Sequence, residues 1–268
     1  MGWQIKSAMS LLGAQLLSCS LSSTGKSDEG FNLKHSTTSC LSEDHVEAYC
    51  DAAVIGVGFV DTENDYLPHV IACENGNASP ASLRAQAIAA RSYLYYRMNI
   101  AGVIEDGPRE QVYTCGRQPS EEHHQAVEDT NGVVLRYQGS QVAAFYVAGA
   151  EPMPPSCEGN KTVFSKTEKF VTYNEGNMGA ALKQSSIGLV DANNLANRGC
   201  MSQHGANCLA SSGSSTRSIL NFYYGDDIEL HQALGECVEP LPRCQHSAVA
   251  SNTAKLETNL PQPDSSVL

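Results

Sequence analysis

At 268 residues and 41% hydrophobic content, the chain can build one substantial core or two small ones, and it is not a low-complexity protein. The formal net charge of −12 and pI near 5.0, with no basic stripe or arginine-rich run, argue against nucleic acid and leave carbohydrate or protein as partners. No stretch reaches the ~18 to 20 apolar residues that a membrane-spanning helix needs.

Residues 1–19 read as an export signal: one lysine, Lys6, is followed by the moderately apolar SAMSLLGAQLLS. Leu16-Leu17-Ser18-Cys19 is similar to a bacterial lipobox, in which Cys19 becomes the acylated first residue of the mature protein; the alternative is the tail of an ordinary signal peptide. With Ser20 after the cysteine, the expectation is a periplasmic or cell-surface lipoprotein anchored at the outer membrane, touching the membrane through its lipid only. Residues 20–39, rich in Ser, Thr, Gly and Lys, read as a flexible tether, 40–237 as one domain, and 238–268 as a Pro-, Ser- and Asn-rich tail, disordered past about 246.

Ten cysteines fit an oxidising, exported setting. With Cys19 set aside the count is odd, so at least one thiol is free or paired elsewhere. Proximity along the chain suggests Cys40 with Cys50, Cys200 with Cys208 and Cys237 with Cys244. Cys73, Cys115 and Cys157 then have room for one pair and one free thiol.

Ala52 to Val60 is a strand-like run containing Gly56 and Gly58, followed by an acidic turn, Asp61 to Asp65. The segment 65–97, DYLPHVIACENGNASPASLRAQAIAARSYLYYR, organises the rest. The apolar run Leu67 to Cys73 predicts a short buried strand ending at Glu74 and a turn. Ser79 as N-cap with Pro80 at the first helical position then starts a helix. Leu83, Ala87, Ala90, Leu94 and Met98 fall on one stripe of it, with Gln86 and Arg91 at the margins. A carboxyl at Glu74, partly desolvated, would have a raised pKa suited to a general acid.

Further on, Gln111-Val112-Tyr113 precedes Cys115 and Gly116. Glu121 to Asp129 predicts a short helix whose adjacent His123 and His124 point about 100° apart and read as solvated surface, not metal ligands. Val133 to Tyr137 and Gln141 to Val147 predict a hairpin around Gln138-Gly139-Ser140. Ser214 or Ser215 caps a helix through Ile219, Leu220 and Phe222 to Tyr224, stopped by Gly225.

The central segment resembles the stage II sporulation protein D family (SpoIID/LytB, or amidase enhancer). In that pattern a tyrosine-leucine-proline run leads to a glutamate and an alanine-rich helix, as Tyr66, Leu67, Pro68, Glu74, Ala85, Gln86, Ala87, Ala89, Ala90, Arg91 and Tyr93 do here. Gln111-Val112-Tyr113 continues the likeness, and it returns at 198–210, RGCMSQHGANCLA, through Met201, Ser202, Gln203, Gly205 and Ala206. Cys200 and Cys208 stand where relatives have glycine, which suggests a disulfide stapling this loop. Between 148 and 197 the likeness is poor, and the serine run, paired glycines and tryptophan of relatives are replaced by AGAEPMPPSCEGNKT.

The resemblance implies a single mixed α+β domain, an alanine-rich helix packed on short strands and β-hairpins. It implies a peptidoglycan lytic transglycosylase, in which Glu74 serves as acid and then base while the substrate's own C6 hydroxyl attacks the anomeric carbon to give 1,6-anhydromuramyl ends. Gln86, Arg91, Tyr113, Ser202 and Gln203 would bind the glycan strand. No cofactor is expected, and no structural zinc, because the His/Cys spacing of zinc-bearing relatives is missing. The alternative is a non-catalytic peptidoglycan-binding module that stimulates a cell-wall amidase. A serine hydrolase is disfavoured because Ser202 lacks a Gly-x-Ser-x-Gly setting.

Overall fold

The computed structural model describes residues 46–162, 167–187 and 194–239, all within the unit Phe31–Leu268. The expected signal peptide, lipobox cysteine Cys19, tether, Cys40, Cys244 and disordered tail lie outside the described residues.

The fold is mixed α+β, as expected, and α2 (Pro80–Ala101) runs through its middle. Leu83, Ala87, Ala90 and Leu94 pack into one hydrophobic cluster with Val54, Val60, Tyr66, Leu67, Val70 and Ile71. Ala85, Ile88 and Ala89 pack into a second with Val133, Leu135, Met201, Ile219, Leu220 and Tyr223. The first set is the predicted stripe; the second face follows from the alanines, whose small side chains let strands and helices close in on both sides. Ser79 has extended N-cap geometry, but its side chain makes no cap bond within the helix. Its backbone N–H and hydroxyl instead donate to Asn207 Oδ1, at 2.8 and 3.0 Å, tying the start of α2 to a later helix. Gly102, at φ 71°, ends the helix in the left-handed conformation.

Ahead of α2, β1 (Asp51–Val54) and β2 (Gly58–Asp61) form an antiparallel hairpin in the register Ala52↔Val60 and Val54↔Gly58. The strand-like run therefore folds back on itself around Gly56 (φ 81°), and the hairpin turn is not the acidic stretch. That stretch, Thr62–Tyr66, forms one turn of π-helix, with the Asp61 carboxylate accepting from the Asn64 N–H at 2.8 Å.

The predicted strand Leu67 to Cys73 is instead α1, Leu67–Asn75. Pro68 decides this: it cannot donate to a ladder, yet it sits without penalty in the first turn of a helix. Leu67, Pro68, Val70, Ile71 and Ala72 are all buried, and a short run apolar on every side has no period to separate helix from strand. Glu74 thus lies in the last turn of a helix, not at a strand end.

After α3 (Glu121–Glu128) comes the predicted hairpin, β3 (Val133–Tyr137) with β4 (Ser140–Gln141). Its turn carries positive φ at Gln138 (47°) and Gly139 (74°), as tight two-residue hairpins require. The expected second strand, Gln141 to Val147, is split: only its start pairs with β3, while β5 (Phe145–Val147) lies outside that sheet and runs parallel to β8 (Cys200–Ser202), with the short antiparallel pair β6 (Pro152–Met153) and β7 (Glu158–Gly159) between them in the chain. α4 (Gln203–Ser211) follows β8 directly, and α5 (Thr216–Tyr224) starts at Ser215, whose hydroxyl accepts from the Ser218 N–H. β9 (Glu229–Gln232), which was not expected, completes the sheet in the order β4-β3-β9.

Candidate active site

Glu74 is partly buried at the C-terminal end of α1. Oε1 accepts the Val112 N–H at 2.9 Å, and Oε2 accepts the Gln203 amide at 3.3 Å. Among the described residues no cation pairs with it. Burial raises its pKa above the usual carboxylate range, against the opposing pull of those two donors. The site is therefore a desolvated acid held by neutral donors.

Everything around Glu74 is tied down. Cys73 is bonded to Cys115. The Arg117 guanidinium donates to the Ala72 carbonyl at 3.0 Å, and the Asn75 amide donates to Ser82 Oγ at 3.3 Å. The next carbonyl along, Gly76, faces His123 Nε2 at 3.0 Å. Glycine is required at 76, since a Cβ there would run into the Ala72 carbonyl and Arg117. His123 Nδ1 accepts the Ser120 N–H, so Nε2 carries the proton that it donates to Gly76. His123 is hence buried in a capping box and not surface, and burial lowers its pKa. His124 remains exposed.

The loop opposite is pinned residue by residue. Gln111 is buried, accepting from the Tyr66 hydroxyl (2.8 Å) and donating to the Ala90 carbonyl (3.0 Å). Val112 donates to Glu74, and the Tyr113 N–H donates to Asp106 Oδ1 at 2.8 Å. The Tyr113 ring stacks on Tyr66 and its hydroxyl donates to Asp65 at 3.1 Å. Tyr146 on β5 completes the setting: burial first, then the charge of Glu74, push its phenol well above the ordinary value.

Gln203 reaches Glu74 because β8 runs parallel to β5, with Val147 opposite Ser202, and leads directly into α4, which packs on α2 with its first residue against Glu74. Ser202 is buried as the N-cap of α4, accepting the Gly205 N–H at 3.0 Å and donating to the Ala148 carbonyl at 3.3 Å. The other two expected contacts are also interior. Arg91 is fully buried, its guanidinium forked onto Glu63 with both N–O distances 2.7 Å, and it also donates to the Val133 and Val127 carbonyls. Gln86 is fully buried with neither amide atom hydrogen-bonded. Of the predicted residues, then, Gln203 touches Glu74, Tyr113 sits on the loop that does, and Ser202, Gln86 and Arg91 support the fold around it.

The cysteine pairing differs from proximity. Cys50 bonds Cys237, not Cys40, and that leaves Cys237 unavailable to Cys244. Cys208 bonds Cys157, while Cys200 is a buried free thiol whose pKa burial pushes far up. The Cys73–Cys115 pair falls among the three cysteines that proximity left over. The loop at 198–210 is stapled, but to the 150s segment and not to itself.

Sequence reasoning missed Glu63, Gln111, Arg117 and His123 as the groups that fix the site. Gln111 had a signal, its place in the Gln-Val-Tyr stretch; Glu63 and Arg117 had none, because their partners are distant in sequence. Among the described residues no group of three or more His, Cys, Asp or Glu is arranged to hold a metal ion. Two clefts of about 460 and 420 Å³ lie along residues 137–198, and Glu74 lines neither.

Residues 57–137 match the family model SpoIID, Stage II sporulation protein. The chain carries a SpoIID domain. The match runs from the β1–β2 hairpin through β3 and includes Glu74, the buried Glu63–Arg91 pair and the 111–113 loop; Gln203 and the 198–210 stretch lie beyond it. None of the curated proteins compared with the chain matches it. The SpoIID domain gives the protein a role connected with the cell wall or sporulation.

Proposed function

We propose that the protein is an exported peptidoglycan lytic transglycosylase with Glu74 as its single acid/base. The observation that supports this is the setting of Glu74: a carboxyl that burial favours in the acid form, with no cation among the described residues to ionise it, aimed by the Val112 N–H and the Gln203 amide. Protonated Glu74 gives its proton to the glycosidic oxygen as the C1–O bond breaks. The C6 hydroxyl of the same sugar then bonds to C1, and its proton returns to Glu74. No water is consumed and the acid is regenerated, so one carboxyl suffices where hydrolytic glycosidases use two. A positioned acid/base of this kind contributes on the order of 10²- to 10⁴-fold in rate. The same reading places the chain outside the cytoplasm, held to the membrane through acylated Cys19.

A second reading, a wall-binding module that stimulates an amidase, is favoured by the interior position of Gln86, Arg91 and Ser202, which leaves fewer groups to grip a sugar than the resemblance implies. Digestion of purified glycan strands in H2¹⁸O separates the readings. The transglycosylase yields 1,6-anhydromuramyl ends without ¹⁸O from wild type and none from Glu74→Gln. Ends bearing ¹⁸O would refute it in favour of hydrolysis, and retained binding without cleavage would favour the module.

A further inference from the structure

The β1–β2 hairpin separates its chemistry onto two faces. Ala52, Val54 and Val60 are buried, so by strand alternation Asp51, Ala53, Phe59 and Asp61 share the outer face. Phe59 is 81% exposed there, and Ile55 and Val57 at the turn are exposed with it. Ile100, at the end of α2, and Val103 are exposed just ahead of Ile104, which pairs with the far edge of β1: the Ile55 N–H donates to the Ile104 carbonyl, and the Ile104 N–H to the Ala53 carbonyl, both at 2.9 Å. These five are most of the eight large apolar side chains exposed among the described residues. Gathered on and beside one hairpin, they mark a contact surface where scattered exposure would not.

The hairpin also has an open edge. The Thr62 N–H donates to the Cys50 carbonyl at 2.8 Å, which sets the phase of the ladder: 50, 52 and 54 bond with 62, 60 and 58, while 53 and 59 turn their backbone groups outward. On the β1 side Ile104 takes up that outward edge. On the β2 side the Phe59 N–H and carbonyl have no partner among the described residues. β2, GFVD, has no lysine or proline to blunt its edge against pairing.

Charge selects the occupant. Asp51 and Asp61 lie opposite each other on the outer face, next to the Ala53–Phe59 pair. Asp61 accepts only from Asn64, through its N–H and its side-chain amide at 2.8 and 3.1 Å, and no cation pairs with either acid among the described residues. A second copy of this chain would bring the same two acids, and a net charge of −12, to the contact. An anionic lipid surface would be repelled in the same way.

We propose that the β2 edge docks an extended segment of a partner protein by strand addition, with an apolar side chain opposite Phe59 and a lysine or arginine two residues away, opposite Asp61. The spacing follows from the ladder, since 59 and 61 share one face and both turn their N–H toward the incoming strand. The surface includes neither Glu74 nor its two donors, so it stands apart from the glycosidic reading.

The probe is the acetylated, amidated peptide Thr-Lys-Thr-Val-Thr-Lys-Thr, symmetric so that either strand direction sets valine at Phe59 and lysine at Asp61. In the full ¹⁵N-labelled protein, saturating peptide is expected to slow hydrogen exchange of the Phe59 amide about tenfold. Glutamate in place of both lysines is expected to weaken binding about tenfold, and so are Phe59→Ser and Asp51→Lys, changes at exposed positions that circular dichroism is expected to show folded. A Phe59 amide that exchanges unchanged at saturation overturns the proposal. Equal binding by a peptide N-methylated at its lysines and valine does the same, because that peptide keeps the side chains but cannot complete the ladder. Equal affinity of the glutamate peptide overturns the basic partner. Protection of Phe59 without peptide overturns it too, in favour of a second copy if it grows with protein concentration and of the chain's own residues if it does not. Protection by phosphatidylglycerol vesicles and not by the peptide assigns the surface to a membrane instead.

Discussion

Replacing Arg91 by methionine removes a guanidinium that is fully buried and leaves Glu63, only 6% exposed, as an unpaired interior charge. The lost contacts are the two 2.7 Å bonds of the fork onto Glu63 and those to the Val133 and Val127 carbonyls. Breaking one side of a buried ion pair costs about 3–5 kcal/mol, most of it the uncompensated charge and not the worth of the pair itself. For a domain of this size that is a fall in melting temperature of roughly 6–20 °C. Far-UV circular dichroism under non-reducing conditions reads it directly. Adding Glu63→Leu is expected to recover most of the loss, because the isolated charge goes with it. A melting temperature within about 1 °C of wild type, together with lost glycan binding, would refute this reasoning and return Arg91 to the substrate-binding role that the sequence resemblance implies.

Three further outcomes are expected. Gln86→Met removes a buried amide with no hydrogen-bond partner, so it is expected to raise stability by about 1–3 kcal/mol in urea unfolding; a loss of stability would show that the amide is satisfied. Glu74 binds protons more tightly folded than unfolded, so its ionisation costs stability. Below its unfolded pKa of roughly 4.3 the two states hold equal protons; as pH rises through the raised folded value, stability falls. The melting-temperature gap between Glu74→Gln and wild type should therefore widen upward from about pH 4, and a gap that stays flat contradicts the raised pKa. Removing the 73–115 disulfide by a double alanine variant is expected to cost up to about 4 kcal/mol by loop entropy. Because it loosens the Val112 N–H that favours ionised Glu74, it should also move the alkaline limb of the activity profile upward; an unmoved limb would show that the loop holds its place without the bond.

What the sequence discloses is what local chemistry writes into it. Pro80 after Ser79, the period of Leu83, Ala87, Ala90 and Leu94, and the Gly225 stop all describe interactions within a few residues, and the helices stand where those signals put them. α1 escaped because burial on all sides erases periodicity, even though Pro68 spoke against a strand. Arg91 was misjudged for a different reason. A polar residue at the margin of an apolar stripe can face a cleft or a buried partner, and the partner, Glu63, lies 28 positions earlier in a stretch that reads as an acidic turn. The disulfides failed likewise: the described pairs span 187, 42 and 51 positions, where proximity favours gaps near ten.

The long-range links that sequence hides are the ones that build the site. Glu74 reaches its two donors across 38 and 129 positions, and neither contact would persist if α1, the 112 loop and α4 drifted independently. The cross-links answer that need in turn. Cys73–Cys115 joins the residue before Glu74 to the loop that donates from Val112, and Cys157–Cys208 fixes the helix that begins at Gln203. Arg117 and His123 hold the carbonyls on either side of the acid. A rigid acid with no cation beside it among the described residues suits a reaction with a single proton donor and acceptor, since the proton leaves and returns to the same oxygen pair and a shift of about 1 Å would cost on the order of 10²-fold. The 148–197 stretch, by contrast, lies beyond the part of the chain that matches the SpoIID model. The setting of Glu74 is thus built from both the matched stretch, through Val112, and a later one, through Gln203, and cross-links fix each.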